Sequence, residues 1–242
     1  MGGTPVRCAL AAAALVVAQA AAAASVTLDV GHTATEPGAI SARGRPEFEF
    51  NRDLAAEIEA SLRRSKIAVR VIGADGNGDA QPARRVKGES PDLLLSIHHD
   101  SVQERLLRTW QHEGVTRRYS DQFAGFSLFV SRENPQLDRS LACASAIGAK
   151  LRGAGFRPSL YHADPEFGER REFADQANGV HYWDNLAIVR RARVPAVLLE
   201  AGVIVNRDEE AELGKPETRR RIAEAVTAGV AECTGGTRGA GR

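Results

Sequence analysis

Two short, almost wholly apolar segments constrain the fold more than anything else in the chain: Leu93-Leu94-Leu95-Ser96-Ile97 and Pro195-Ala196-Val197-Leu198-Leu199. Runs this short, without polar alternation, read as strands buried on both faces. Val26-Thr27-Leu28-Asp29-Val30, Ile67 to Ile72 and Gly125 to Val130 add further strand candidates. Between them, Leu54, Ala55, Ile58 and Leu62 recur at a helical period within Asn51 to Arg64. Leu137 to Leu151, Leu186 to Arg193 and Pro216 to Cys233 also read as helices, the last with its proline in the first turn, where no amide donor is needed. Strands alternating with helices predict an α/β fold: a twisted, mainly parallel sheet flanked by helices on both faces, in a single domain. Ser101 to Gln122 and Arg157 to Asp184 read as irregular insertions, and Gly73 to Gly88 as a loop around Gly76-Asn77-Gly78.

The first 25 residues stand apart. Arg7, the apolar run Ala9 to Ala18 and the small residues Ala20 to Ala24 form a signal-peptide pattern, too short and Ala-rich for a good membrane span. The expected organisation is therefore a signal peptide over 1–25, a catalytic domain over 26–233 and a flexible tail over 234–242. The mature chain is expected to be exported, periplasmic or extracellular, and to have no membrane span. Loss of Arg7 with the leader leaves 31 basic and 31 acidic side chains. That balance argues against a nucleic-acid partner, which would call for a basic excess or stripe. Arg84-Arg85, Arg117-Arg118 and Arg219-Arg220-Arg221 read as solvated faces. Cys143 and Cys233 either pair in an oxidising compartment or remain thiols, and their spacing does not suit a zinc cluster.

In sheets of this kind, sites gather at the carboxyl ends of strands. Here those ends carry Asp29-Val30-Gly31-His32, His98-His99-Asp100 and Glu200, while Glu47 precedes the first helix after a Gly-rich loop. Two imidazoles and one carboxylate make a zinc site with an open position, and a further carboxylate can take a proton from water. Taken singly, each residue also has an ordinary role: His32 in a turn, one core and one surface histidine at 98 and 99, Glu47 or Glu49 as a helix cap, and Glu200 in an ion pair.

Four segments in order resemble the zinc-dependent N-acetylmuramoyl-L-alanine amidases of the amidase-3 domain family. They are Leu28-Asp29-Val30-Gly31-His32 with Pro37-Gly38-Ala39, Glu47-Phe48-Glu49-Phe50-Asn51, Ser96-Ile97-His98-His99-Asp100-Ser101, and Val194 to Gly202 with Asn206. The resemblance implies Zn2+ held by His32, Glu47 and His98, with Glu200 as the catalytic carboxylate. It favours Glu47 over Glu49 because Asn51 keeps the family's Glu-to-Asn spacing. His99, Asp100 and Asn206 are the substrate-facing candidates; on an extended segment His99 points away from His98. The implied substrate is peptidoglycan or a muropeptide, cut between the muramic acid lactyl group and L-alanine. Thr33 stands where the family often has glycine, and Arg84 or Arg85 is the candidate for a usual arginine.

The two insertions are where substrate choice would reside. Trp110, Tyr119, Tyr161, Tyr182 and Trp183 either line a groove or pin the insertions' own small cores. Other readings are a different exported zinc peptidase or deacetylase, and a non-catalytic wall-binding protein of the same fold. No partner protein is identified; an activator is possible in this family, and a monomer is the default.

Overall fold

The computed structural model describes residues 24–77 and 90–235. The leader up to residue 23, Arg84 and Arg85, and the last seven residues of the tail lie outside the described residues.

Among the described residues, nine strands and five α-helices follow one another as β1 (Ser25–Val30), α1 (Glu47–Arg64), β2 (Ala68–Ile72), β3 (Leu93–Asp100), β4 (Arg108–His112), β5 (Val115–Tyr119), β6 (Ser127–Val130), α2 (Leu137–Gly153), β7 (Phe173–Asp175), β8 (Val180–Tyr182), α3 (Ala187–Arg190), β9 (Ala196–Val203), α4 (Arg207–Leu213) and α5 (Pro216–Gly235). Seven strands make one sheet in the order β2-β1-β3-β9-β6-β8-β7. The half built from β2, β1, β3 and β9 is parallel throughout. Beyond it, β6 runs antiparallel to β9 and parallel to β8, and β7 is antiparallel to β8.

The two apolar segments form the adjacent central strands β3 and β9, and all eight residues of β3 are buried. Strand periodicity of two sorts their side chains. Leu93, Leu95, Ile97, Val197 and Leu199 join the main core with Leu54, Ile58, Ile147, Ile222 and Val226, so α1, α2 and α5 cover that face. Leu94, Ala196 and Leu198 pack on the other face with Phe129 and with Ile188 and Val189 of α3. Along the same alternation, His98 and Glu200 fall on the α3 face and His99 on the α1 face. Among the described residues, no helix is long and apolar enough to cross a membrane.

The two insertions are more ordered than their composition predicts. Within Ser101 to Gln122, β4 and β5 pair as a separate antiparallel hairpin. Trp110 Nε1 donates to the Ala42 carbonyl oxygen at 2.9 Å, fixing the hairpin to the loop before α1. Within Arg157 to Asp184, β7 and β8 extend the main sheet through β6. Each of these two strands has only three residues, too few for a periodic signal. Helix α1 begins at Glu47, one turn before the expected Asn51.

Cys143 and Cys233 form a disulfide between α2 and α5, with Cα atoms 5.0 Å apart and 90 residues of separation. A link across so long a loop restricts the unfolded chain and contributes roughly 2–4 kcal/mol. Reductant is therefore expected to lower the urea midpoint by that equivalent. An unchanged midpoint with both thiols titratable would show that the link adds nothing.

Candidate metal centre

His32 lies just beyond β1, in a turn that gives its backbone a φ of 68°. That left-handed conformation costs a residue with a β-carbon on the order of 1–2 kcal/mol. It sets the imidazole against α1, where Nε2 is 3.1 Å from Glu47 Oε2. His98 approaches from β3, with Nδ1 3.0 Å from Glu47 Oε1. One ligand atom from each of the three side chains lies within 4.8 Å of the others.

The backbone around this trio is shaped to admit it. A β-carbon on Gly31 would sit 2.3 Å from His98 Nε2, and one on Gly38 would sit 2.4 Å from Glu47 Oε2 and 2.6 Å from His32 Cδ2. Gly38 also adopts φ 77°, which glycine tolerates without a steric penalty. Both glycines are required by the close approach of these histidine and carboxylate side chains.

Glu47 is the hub. Ala39 N donates to Oε2, and Asn51 Nδ2 and His99 N donate to Oε1. Burial opposes its ionisation, but the hydrogen bonds and charges of His32 and His98 outweigh burial and hold its carboxyl well below the usual range. The first turn of a helix also favours negative charge. Glu49, the competing candidate, faces outward and pairs with Arg45.

Asn51 donates through Nδ2 to Glu47 and to the Gly31 carbonyl oxygen, leaving its Oδ1 as an acceptor 2.8 Å from His99 Nδ1. Burial pushes His99 down to about 3, so the neutral ring donates through Nδ1 to Asn51. His99 thus points away from His98, as the alternation of β3 predicts, and braces the residue that braces Glu47.

Glu200 pairs in register with His98 on the neighbouring strand. Its Oε2 is buried without a hydrogen-bond partner. Burial first, then the charges of Asp100, Glu47 and Glu169, push this carboxyl well above the usual carboxylate range. His32, Glu47, His98, Asp100 and Glu200 line a single cleft of about 290 Å³ with Tyr161, His162, Glu169 and Trp183. A hollow of about 730 Å³ lies elsewhere, but it contains none of these groups.

Sequence reasoning missed His162 and Glu169, which lie in a segment without periodicity. The His162 ring is 2.7 Å from Asp100 Oδ2 through Nε2 and 2.9 Å from Glu169 Oε2 through Nδ1. Burial alone would lower its pKa, but the two carboxylates raise it to about 9. An imidazolium donating on both sides fixes Asp100 in place. In the folded state His162 binds its proton more tightly than the reference value of 6.5 allows. Its contribution, at most roughly 3 kcal/mol, is full below pH 6.5 and lost as pH rises through about 9. His181, packed beside it, has the opposite sign. Burial depresses it to about 3, so its contribution is lost as pH falls below 6.5. Melting temperature of the metal-free protein is expected to fall between pH 6.5 and 9, with the fall flattened in His162→Gln. A slope unchanged by that substitution would remove His162 as its source.

The remaining candidates divide. Asp100 lines the cleft, held by His162 and accepting from Ser101 N. Asn206 does not: its side chain caps α4, accepting from Asp208 N and Glu209 N, and donates to the Phe123 carbonyl oxygen. Its side-chain hydrogen bonds thus go to α4 and to the chain at Phe123 rather than toward the cleft. Of the aromatics, Tyr161 and Trp183 face the cleft. Trp110 and Tyr119 stack with Arg207, and Tyr182 lies under Arg132.

Two histidines and a carboxylate whose ligand atoms converge beside a buried carboxyl, open to a cleft, make a candidate metal site at the carboxyl ends of the strands of an α/β sheet. The profile of the Amidase_3 family, described as N-acetylmuramoyl-L-alanine amidase, matches residues 26–232, and the chain belongs to that family. The probable cell wall amidase LytH of Staphylococcus aureus is 25% identical over 202 residues, 83% of this chain and 54% of that protein. The chain therefore spans about half the length of the curated relatives it matches. Among solved structures, the amidase Ami1 of Mycobacterium smegmatis superposes with a TM-score of 0.69 at 21% identity, covering 88% of this chain and 97% of that one. The catalytic domain of CwlV from Bacillus (Paenibacillus) polymyxa var. colistinus gives 0.65 at 24% identity, over 86% and 97%. CwlD of Clostridioides difficile, solved in complex with the GerS lipoprotein, gives 0.62 at 15%, over 87% and 98%. These likenesses show the shared fold.

Proposed function

We propose that this protein is an exported zinc-dependent N-acetylmuramoyl-L-alanine amidase, which hydrolyses the amide between the muramic acid lactyl group and L-alanine in peptidoglycan or its fragments. The observation that carries this reading is the convergence of His32, Glu47 and His98 beside the unpartnered carboxyl oxygen of Glu200. Two nitrogens and one carboxylate fit zinc, and the glycine cradle leaves their ligand atoms room to close on an ion. Zinc held there supplies a water of lowered pKa and polarises the amide carbonyl.

The chain's own residues do the rest. Glu200 accepts the proton of the attacking water on its carboxylate and returns a proton to the departing alanine nitrogen. Burial raises its carboxyl above the usual range, which makes its carboxylate a stronger base for the first transfer. Asn51 and the amides of Ala39 and His99 hold Glu47 ionised and in place. Asp100, fixed by His162, presents a charged wall beside Glu200.

The test is to strip the purified protein of metal, restore zinc and digest peptidoglycan with both samples. Peptides that begin with L-alanine should appear with zinc and be missing without it. Acetate release or shortened stems still bound to glycan would instead indicate a deacetylase or a peptidase, and would overturn the reading.

A further inference from the structure

Beside the metal cleft runs a second groove, of about 470 Å³. Gly38 and Ala39 form one wall and Ser101 and Val102 another, and the groove is closed by Arg117 and Val205. Its walls meet the metal site directly. Gly38 packs on His32 and Glu47, Ala39 donates to Glu47, and Ser101 and Val102 also line the cleft that contains Glu200. The two hollows are adjoining parts of one surface track.

Arg117 is unusual there. Composition suggested a solvated face for Arg117-Arg118; Arg118 pairs with Glu104, and both of these exposed groups also line the groove, their charges offsetting each other. The Arg117 guanidinium lies against Gly44, where a β-carbon would come within 2.3 Å of Cζ. Its Nε is buried with no hydrogen-bond partner. Among the described residues it has no ion-pair partner either. A partly buried cation without a partner bears a desolvation cost that an arriving anion relieves. The hairpin that carries it is anchored to the rest of the fold. Trp110, directly opposite Arg117 across the hairpin, is anchored to Ala42, and Ser120 N donates to the Val205 carbonyl oxygen at the end of β5.

On the amidase reading, the charge of the substrate decides which part of it enters. Once the lactyl acid is tied up in the amide, the glycan has no free carboxylate, and the acidic groups belong to the peptide. We propose that Arg117 binds a carboxylate of the stem peptide, so that the leaving peptide lies along the groove between Gly38-Ala39 and Ser101-Val102. This inference rests on the proposed amidase activity.

The test uses the zinc-loaded protein and two soluble muramoyl peptides, one with free peptide carboxylates and one with those carboxylates converted to amides. The wild type should prefer the acidic substrate by about tenfold or more in kcat/KM, chiefly through KM. Arg117→Gln should bring the ratio between the two substrates close to unity, and Arg117→Lys should restore part of it. Equal rates for the wild type on both substrates, or a ratio untouched by Arg117→Gln, would overturn the inference while leaving the amidase reading intact. If the wild type cleaves neither, the amidase reading fails and this inference fails with it.

Discussion

Glu200→Gln should retain zinc at wild-type stoichiometry and lower kcat by about 10²–10⁴-fold, the range for loss of a positioned general acid and base. The substitution keeps the shape of the side chain and removes only its ability to exchange a proton. Glu200 has no structural bond to lose, since its buried Oε2 has no partner and its neighbours Asp100, Glu47 and Glu169 repel its charge. The metal-free variant should therefore melt at or above the wild-type temperature, as expected where function holds a group in an unfavourable setting. Turnover within tenfold of the wild type would remove Glu200 from the reaction. Loss of zinc in this variant would make it a ligand.

Glu47→Gln should abolish stoichiometric zinc binding and activity together, and should also destabilise the fold. The Glu47 carboxylate receives hydrogen bonds from Ala39, Asn51 and His99 and contacts both histidines. An amide offers one acceptor and turns a donor toward groups that themselves donate. Leaving such buried groups unmatched costs on the order of 1–3 kcal/mol each. His32→Ala separates the two effects. With a side chain 31% exposed against 6% for His98, His32 can be removed with little loss of core. It should lose zinc while melting near the metal-free wild type. Glu49→Gln is the control for the choice of carboxylate, and normal zinc content is expected there. Metal analysis and melting curves on these three variants decide the ligand set. Zinc retained in Glu47→Gln and lost in Glu49→Gln would reverse it.

The two central strands of the parallel half, β3 and β9, were legible because they are buried on both faces and so carry almost no polar residues, as in Leu93 to Ile97 and Pro195 to Leu199. Part of the candidate site was legible because polar groups interrupt such runs at their carboxyl ends, where His32, His98 and Glu200 stand out. His162 was not legible. Its partners Asp100 and Glu169 lie 62 and 7 residues away, and only the fold brings Asp100 to it. The short strands β7 and β8 take their order from pairing beside β6 rather than from their own pattern. Asn206 entered as a substrate-facing candidate through the family resemblance, and its capping role was not read from the sequence. The spacing Asn206 to Glu209 is that of a helix start, and α4 begins there.

The account turns on which bond is broken and where the oxygen of water goes. The most direct measurement is mass analysis of products formed from a defined muramoyl peptide in heavy-oxygen-labelled water by the zinc-loaded protein. The account predicts label in the lactyl carboxylate of the sugar product and a free amine on an unlabelled peptide beginning with L-alanine. Label in a peptide carboxylate or in released acetate, with the lactyl amide intact, would contradict it.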